Sequence, residues 1–190
     1  MNVFILHGTM GSPEGNWFPW LERELRGLGI EVFVPKFPTP EGQSLDNWLK
    51  TFEPYQKYVN KESVFVGHSM GPGFILRLLE RRKTPIKAAI LTAPFDDFIG
   101  VEPFDTLNKT FIDHPFDWKK IKQNCPKFVV FAGDDDPYIP IKQTKRIAKN
   151  LEVRINWIKG GKHLNADTAG MTQFPEVLAA ISMSGEVPEK

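Results

Sequence analysis

The chain has 190 residues, with 24 Lys plus Arg against 23 Asp plus Glu and a single cysteine, Cys125. That length suits one substantial core and a single domain over residues 1–190, and the balanced charge gives a polyanion nothing to bind, which argues against nucleic acid as a partner. One cysteine makes no intramolecular disulfide, no apolar run approaches the about 20 residues that cross a bilayer, and the first strand begins at Val3 with no basic leader, so a cytoplasmic protein without a membrane partner is expected.

Strands are predicted over residues 3–6, 31–34, 63–67, 88–92, 127–132 and 153–158, and helices over 17–27, 45–59, 71–82, 141–151 and 172–183. In the second helix Trp48, Leu49, Phe52 and Tyr55 recur at helical spacing and form one apolar face. Regular alternation of strand and helix implies parallel strands joined by right-handed crossovers. The fold class is therefore α/β: a doubly wound, mostly parallel six-stranded sheet with helices on both faces and functional loops at its carboxyl edge. Residues 94–126 interrupt the alternation, carrying Phe95, Phe98, Phe104, Phe111, Phe116 and Trp118 without a sustained period, and are read as an inserted segment. Residues 185–190 read as a frayed tail.

The densest signal is Ser63-Val64-Phe65-Val66-Gly67-His68-Ser69-Met70-Gly71, a buried-strand run leading into G-x-S-x-G. A nucleophilic serine has to be held out on a strained strand-to-helix turn, where glycine neighbours let backbone approach closely. Ser69 is the candidate nucleophile, and it needs a base to take its proton and a third group to orient that base. Past the apolar run 128–132 comes Gly133-Asp134-Asp135-Asp136-Pro137, and past the last strand comes Gly160-Gly161-Lys162-His163. The order Ser, Asp, His is that of α/β-hydrolases rather than of the other two familiar serine triads. Of the four histidines, His163 sits on the loop that suits a base. His68 lies inside the elbow and is expected to pack there, His7 to shape the loop after the first strand, and His114 to be structural or solvent-facing.

These residues resemble the α/β-hydrolases, and more narrowly the small serine hydrolases of the YdeN and retinoblastoma-binding-protein-nine type. The likeness rests on Phe4-Ile5-Leu6-His7-Gly8-Thr9-Met10-Gly11-Ser12, on Asn16-Trp17-Phe18-Pro19-Trp20-Leu21, on the elbow, on Asp135-Asp136-Pro137 and on Gly161-Lys162-His163-Leu164-Asn165, and it spans nearly the whole chain. It implies Ser69 as nucleophile, Asp136 as the acid and His163 as the base. The register Asp136-Pro137-Tyr138-Ile139-Pro140 favours Asp136, with Asp134 and Asp135 as alternatives. It also implies a minimal version of the fold that starts directly at the strand bearing the oxyanion loop. In that fold, segment 94–126 is where a cap over the active site is expected.

Acyl transfer requires donors for the developing oxyanion, here backbone amides: that of Met70, just after the nucleophile, and that of Thr9 in the first loop, with Met10 as the rival. Trp17, Phe95, Phe104 and Phe111 are the aromatic candidates for an acyl pocket, alongside Phe18 and Trp20. No phosphate-binding loop, dinucleotide fingerprint, H-E-x-x-H or cysteine cluster is present in the sequence, so neither cofactor nor metal is expected. Arg77, Arg81, Arg82 and Lys83 read as cations favoured near a helix C-terminus. The expected activity is hydrolysis of a small-molecule acyl substrate, a carboxylic ester first and a thioester or amide next. The alternative is a protein-interaction module on an idle hydrolase scaffold; no specific protein partner is indicated.

Overall fold

The computed structural model describes residues 1–184, and the tail expected over 185–190 lies outside the described residues. In chain order the elements are β1 (Asn2–Leu6), α1 (Phe18–Gly27), β2 (Glu31–Phe33), α2 (Leu45–Phe52), a 3-10 turn (Glu53–Tyr58), β3 (Ser63–His68), α3 (Met70–Arg81), β4 (Ala88–Thr92), α4 (Phe104–Ile112), α5 (Trp118–Asn124), β5 (Phe128–Gly133), α6 (Ile141–Leu151), β6 (Ile155–Ile158), α7 (Ala166–Ala169) and α8 (Pro175–Ser182). All six strands pair in parallel in the order β2-β1-β3-β4-β5-β6. The chain leaves β1 toward β2, then crosses back over β1 to β3. The strand order reverses there, so a crevice opens beyond the carboxyl ends of β1 and β3.

β1, β3 and β4 are buried throughout and largely apolar, and their period of two divides two cores. Val3, Ile5, Val64, Val66, Ala88 and Ile90 face Phe18, Leu21 and Leu25 of α1 and Val177 and Ile181 of α8. Phe4, Leu6, Phe65, Ala89 and Leu91 face the other helices, chiefly Trp48 and Phe52 of α2, Phe74 and Ile75 of α3, and Ile147 of α6. Continuous apolar strands are what a parallel sheet covered on both faces requires.

Two expectations are corrected. The helix expected over 45–59 stops at Phe52 and tightens into the 3-10 turn, because Pro54 has no N–H to continue the ladder and its ring clashes with the carbonyl one turn back. Segment 94–126, expected to lack a period, holds α4 and α5. In α4, Phe104, Leu107, Phe111 and Ile112 follow helical spacing, and Asn108 occupies the buried register among them.

Arg77 fastens this segment to the core instead of serving as a surface cation at a helix end. It is 5% exposed, its Nε donates to the Phe111 carbonyl at 2.8 Å and its Nη2 donates to the His114 carbonyl. Its Nη1 pairs with Glu80 at 3.0 Å, and its guanidinium lies 3.9 Å from the Phe116 ring centroid. One planar cation thus answers carbonyls that the end of α4 leaves without helical partners. Replacing it with leucine strands those carbonyls and the Glu80 carboxylate. Arg77→Leu is expected to destabilise the protein by about 3 kcal/mol, read as a lowered midpoint in urea unfolding.

Candidate active site

Ser69 joins β3 to α3 with φ 60° and ψ −109°, a backbone state rare for a side-chain-bearing residue. The turn is held from both sides. The Ser69 N–H donates to the Thr92 carbonyl at 3.0 Å. A Cβ at Gly67 would lie 2.7 Å from both the Gly71 carbonyl carbon and the Pro72 nitrogen, and one at Gly71 would strike the Leu6 carbonyl oxygen. The two glycines of G-x-S-x-G are therefore needed for contact, since main chain packs directly on main chain. Gly8 repeats this from the β1 side, where a Cβ would stand 2.7 Å from that of Ser69.

Two loops from the far strands bring the partners to Ser69. The His163 Nε2 lies 3.1 Å from Ser69 Oγ, and its Nδ1 lies 2.9 Å from Asp136 Oδ2. The three consecutive aspartates do different things. The Asp134 carboxylate accepts from the Gly160 N–H at 2.8 Å, and Asp135 accepts from the Lys162 N–H at 2.8 Å, so both bind the β5 loop to the β6 loop. Asp136 alone reaches the imidazole, while its other oxygen accepts from the Tyr138 and Ile139 amides at 2.8 and 3.0 Å. The His163 and Asp136 side chains are only 9% and 5% exposed.

The loop after β1 carries Thr9 and Met10. Met10 N–H donates to Thr39 Oγ1 at 2.7 Å and is already engaged, whereas no described residue accepts from the Thr9 N–H. Met70 opens α3, so its N–H has no intrahelical acceptor. The Thr9 hydroxyl donates to Asn108 Oδ1 and accepts from Gln43 Nε2 at 2.8 Å, which ties the loop to α4. His7 accepts from the Phe37 N–H through Nε2 at 3.0 Å, and this leaves Nδ1–H to donate to the Gly8 carbonyl at 2.9 Å.

A cleft of about 470 Å³ opens over Ser69. Phe95, Ile99, Phe104, Tyr138 and Ile139 supply its apolar lining, and Asn16, Asn108, Asn165 and Asp167 its polar lining. Phe95 and Phe104 are thus at the cleft. Trp17 and Phe111 are not, and here the expectation is corrected. Trp17 is fully buried behind the His163 loop, its Nε1–H donating to the Leu164 carbonyl at 2.9 Å and its ring against Phe18 and Phe174. Phe111 is fully buried, with its ring 4.9 Å from that of Trp48. Gln43, Asn108 and Asn165 were not singled out from the sequence. For Asn108 a signal existed: a polar residue in the buried register of an amphipathic helix. Among the described residues no group of three His, Cys, Asp or Glu side chains is arranged to hold a metal ion, and no helix is long and apolar enough to cross a membrane.

Burial sets the charge state around the site. Desolvation pushes His68 down to about 3, with the neighbouring His163 adding to the effect, and burial likewise lowers His7. His68 is therefore neutral, and its Nε2–H donates to the His163 carbonyl at 2.8 Å. A histidine that titrates near 6.5 when unfolded and about 3 when folded binds its proton first in the unfolded chain. Stability is then intact above pH 6.5 and is lost as pH falls from 6.5 toward 3, by up to about 1.4 kcal/mol per pH unit for this group. Urea unfolding at pH 6.5 and 4.5 is expected to show a smaller acid loss in His68→Gln than in the parent protein.

The family model described as serine hydrolase matches residues 3–183. YdeN of Bacillus subtilis (strain 168) is 29% identical over 177 residues, spanning 92% of this chain and 91% of YdeN. The serine hydrolase RBBP9 of Rattus norvegicus is 26% identical over 166 residues, spanning 87% of this chain and 84% of RBBP9. The crystal structure of the ydeN gene product from B. subtilis has a TM-score of 0.89 at 28% identity, covering 96% of this chain and 97% of that one. Est1E from Butyrivibrio proteoclasticus shares the fold at a TM-score of 0.69 and 16% identity, over 95% and 85% of the two chains. With its six parallel strands, its glycine-packed serine turn and a family match over nearly its whole length, the chain belongs to the serine hydrolase family and has the α/β-hydrolase fold in minimal form.

Proposed function

We propose that the protein hydrolyses carboxylic esters of small or medium acyl groups through an acyl-enzyme on Ser69. The observation that carries this reading is the hydrogen-bonded chain Ser69 Oγ, His163 Nε2, His163 Nδ1, Asp136 Oδ2 at 3.1 and 2.9 Å. Ser69 Oγ attacks the ester carbonyl while its proton passes to His163 Nε2. Asp136 holds Nδ1–H in the required tautomer and stabilises the imidazolium. The amides of Met70 and Thr9 receive the negative charge that develops on the carbonyl oxygen. Collapse breaks the bond to the alcohol, which leaves with the proton from His163. A water then gives its proton to His163 and attacks the acyl carbon, and the second collapse frees the acid and returns the proton to Ser69.

Two further observations support this reading. The rival Met10 amide is occupied by Thr39, which leaves Thr9 as the first-loop donor. Phe95 and Phe104 line a cleft of about 470 Å³, a volume that suits a small acyl group. Thioesters and amides call on the same machinery; esters come first because an alcohol is a better leaving group than an amine. An idle scaffold kept only for protein binding would need neither a base aligned on the serine nor a carboxylate aligned on that base.

Labelling by a fluorophosphonate is expected at Ser69 and to disappear in Ser69→Ala and His163→Ala. A folded protein that stays unlabelled would sink the proposal. Turnover of a short p-nitrophenyl ester is expected to fall by about four orders of magnitude or more in Ser69→Ala. In Asp136→Asn it should fall by about 10⁴-fold, because an amide there favours the wrong imidazole tautomer.

A further inference from the structure

The hydrogen bonds between the Thr9 loop and α4 run in one fixed direction. Met10 N–H only donates, to Thr39 Oγ1 at 2.7 Å, so the Thr39 hydroxyl directs its own proton to Gln43 Oε1 at 2.5 Å. The Gln43 amide nitrogen then faces the Leu107 carbonyl at 3.1 Å, an acceptor only, and reaches Thr9 Oγ1 at 2.8 Å and Asn108 Oδ1 at 2.9 Å. The Asn108 atom in this cluster is its carbonyl oxygen, since an NH2 there would stand 2.9 Å from the Gln43 amide nitrogen, donor against donor. Two backbone groups, the Met10 N–H and the Leu107 C=O, thus fix which way Asn108 points.

Its NH2 is left over. No described residue accepts from it, Asn108 is only 2% exposed, and no fully buried side-chain nitrogen or oxygen among the described residues lacks a partner. The NH2 therefore keeps part of that small exposure, and the surface that the residue lines is the cleft over Ser69. The neighbouring apolar lining, Phe95, Ile99, Phe104 and Ile139, offers that donor no side-chain acceptor. A nearly buried donor without a partner is costly to maintain, and a bound molecule with an acceptor oxygen removes the cost.

We infer that the Asn108 NH2 is the recognition donor of the acyl pocket, and that the enzyme selects acyl groups carrying an ether, hydroxyl or keto oxygen close to the ester carbonyl. This rests on the reading of Ser69 as the acylated nucleophile. A site built to hydrogen-bond its substrate rejects an analogue lacking that atom more strongly than an apolar pocket discriminates by size.

The test compares p-nitrophenyl methoxyacetate with p-nitrophenyl butyrate, which differ by an oxygen in place of a methylene. The ratio of their kcat/KM values is divided by the ratio of their hydroxide-catalysed rates. In the parent protein this corrected ratio is expected to favour the methoxyacetate by about tenfold, and in Asn108→Leu to fall to about one. Gln43→Leu removes the side chain that fixes which way the Asn108 amide points, so the corrected ratio is expected to fall there as well, although Asn108 itself is intact. If Asn108→Leu does not fold, Asn108→Asp retains an oxygen for Thr9 and Gln43 while removing the donor, and the same loss is expected. A corrected ratio near one in the parent protein, or an unchanged ratio in the Asn108 variants, overturns the assignment of Asn108 alone, whereas turnover of neither ester by a protein labelled at Ser69 overturns the ester reading with it. Failure of the parent protein to label at Ser69 removes the acyl-enzyme reading and this inference together.

Discussion

Main-chain contact at the carboxyl ends of β1 and β3 is the constraint on which the rest of the site depends. The Ser69 turn has a conformation that a free chain would rarely visit, and it is kept there because Gly67, Gly71 and Gly8 let three stretches of backbone touch. Close packing stores this arrangement cheaply: the strands are already fixed by their ladders and by two cores, so the turn has nowhere else to go. The reversal of strand order puts the Thr9 loop beside the turn. The serine, the Met70 amide and the Thr9 amide are thereby set by a single rigid junction.

The partners of that junction come from farther away and are held by polar contacts instead of packing. Asp134 and Asp135 fasten the β6 loop to the β5 loop, neutral His68 holds the His163 carbonyl, and the Trp17 indole holds that of Leu164. Arg77 does the equivalent for segment 94–126 through the end of α4. His68, kept neutral by burial, places no positive charge beside His163, and among the described residues Asp136 is the only carboxylate hydrogen-bonded to the His163 imidazole.

The parts of this arrangement that were legible in the sequence are those with local signatures. An apolar run into G-x-S-x-G announces its strand and turn, and the alternation of strand and helix announces a parallel sheet. Asp136 was separable from its neighbours only by register, because three adjacent carboxylates look alike until one of them faces a ring. Trp17 and Phe111 were misassigned for a related reason: an aromatic side chain near a site says nothing about which face of its element it occupies, and both point into cores. In segment 94–126 the abundance of Phe and Asp obscured the spacing of Phe104, Leu107, Phe111 and Ile112, and with it the place of Asn108. The jobs of Gln43 and Asn165 depend on partners distant in the chain, which no local pattern reveals.

The two-sided sheet also has an order of completion. β1, the first of the described strands, lies inside the sheet beside the edge strand β2, and the core on one of its faces is shared by α1 and by α8, the last described helix. Val177 and Ile181 follow all six described strands in the chain, so part of that core stays uncovered until α8 has been made. Folding of this chain is therefore not vectorial: an early-made sheet carries an open apolar face until α8 docks, and premature termination ahead of Pro175 yields a product prone to self-association rather than a smaller enzyme.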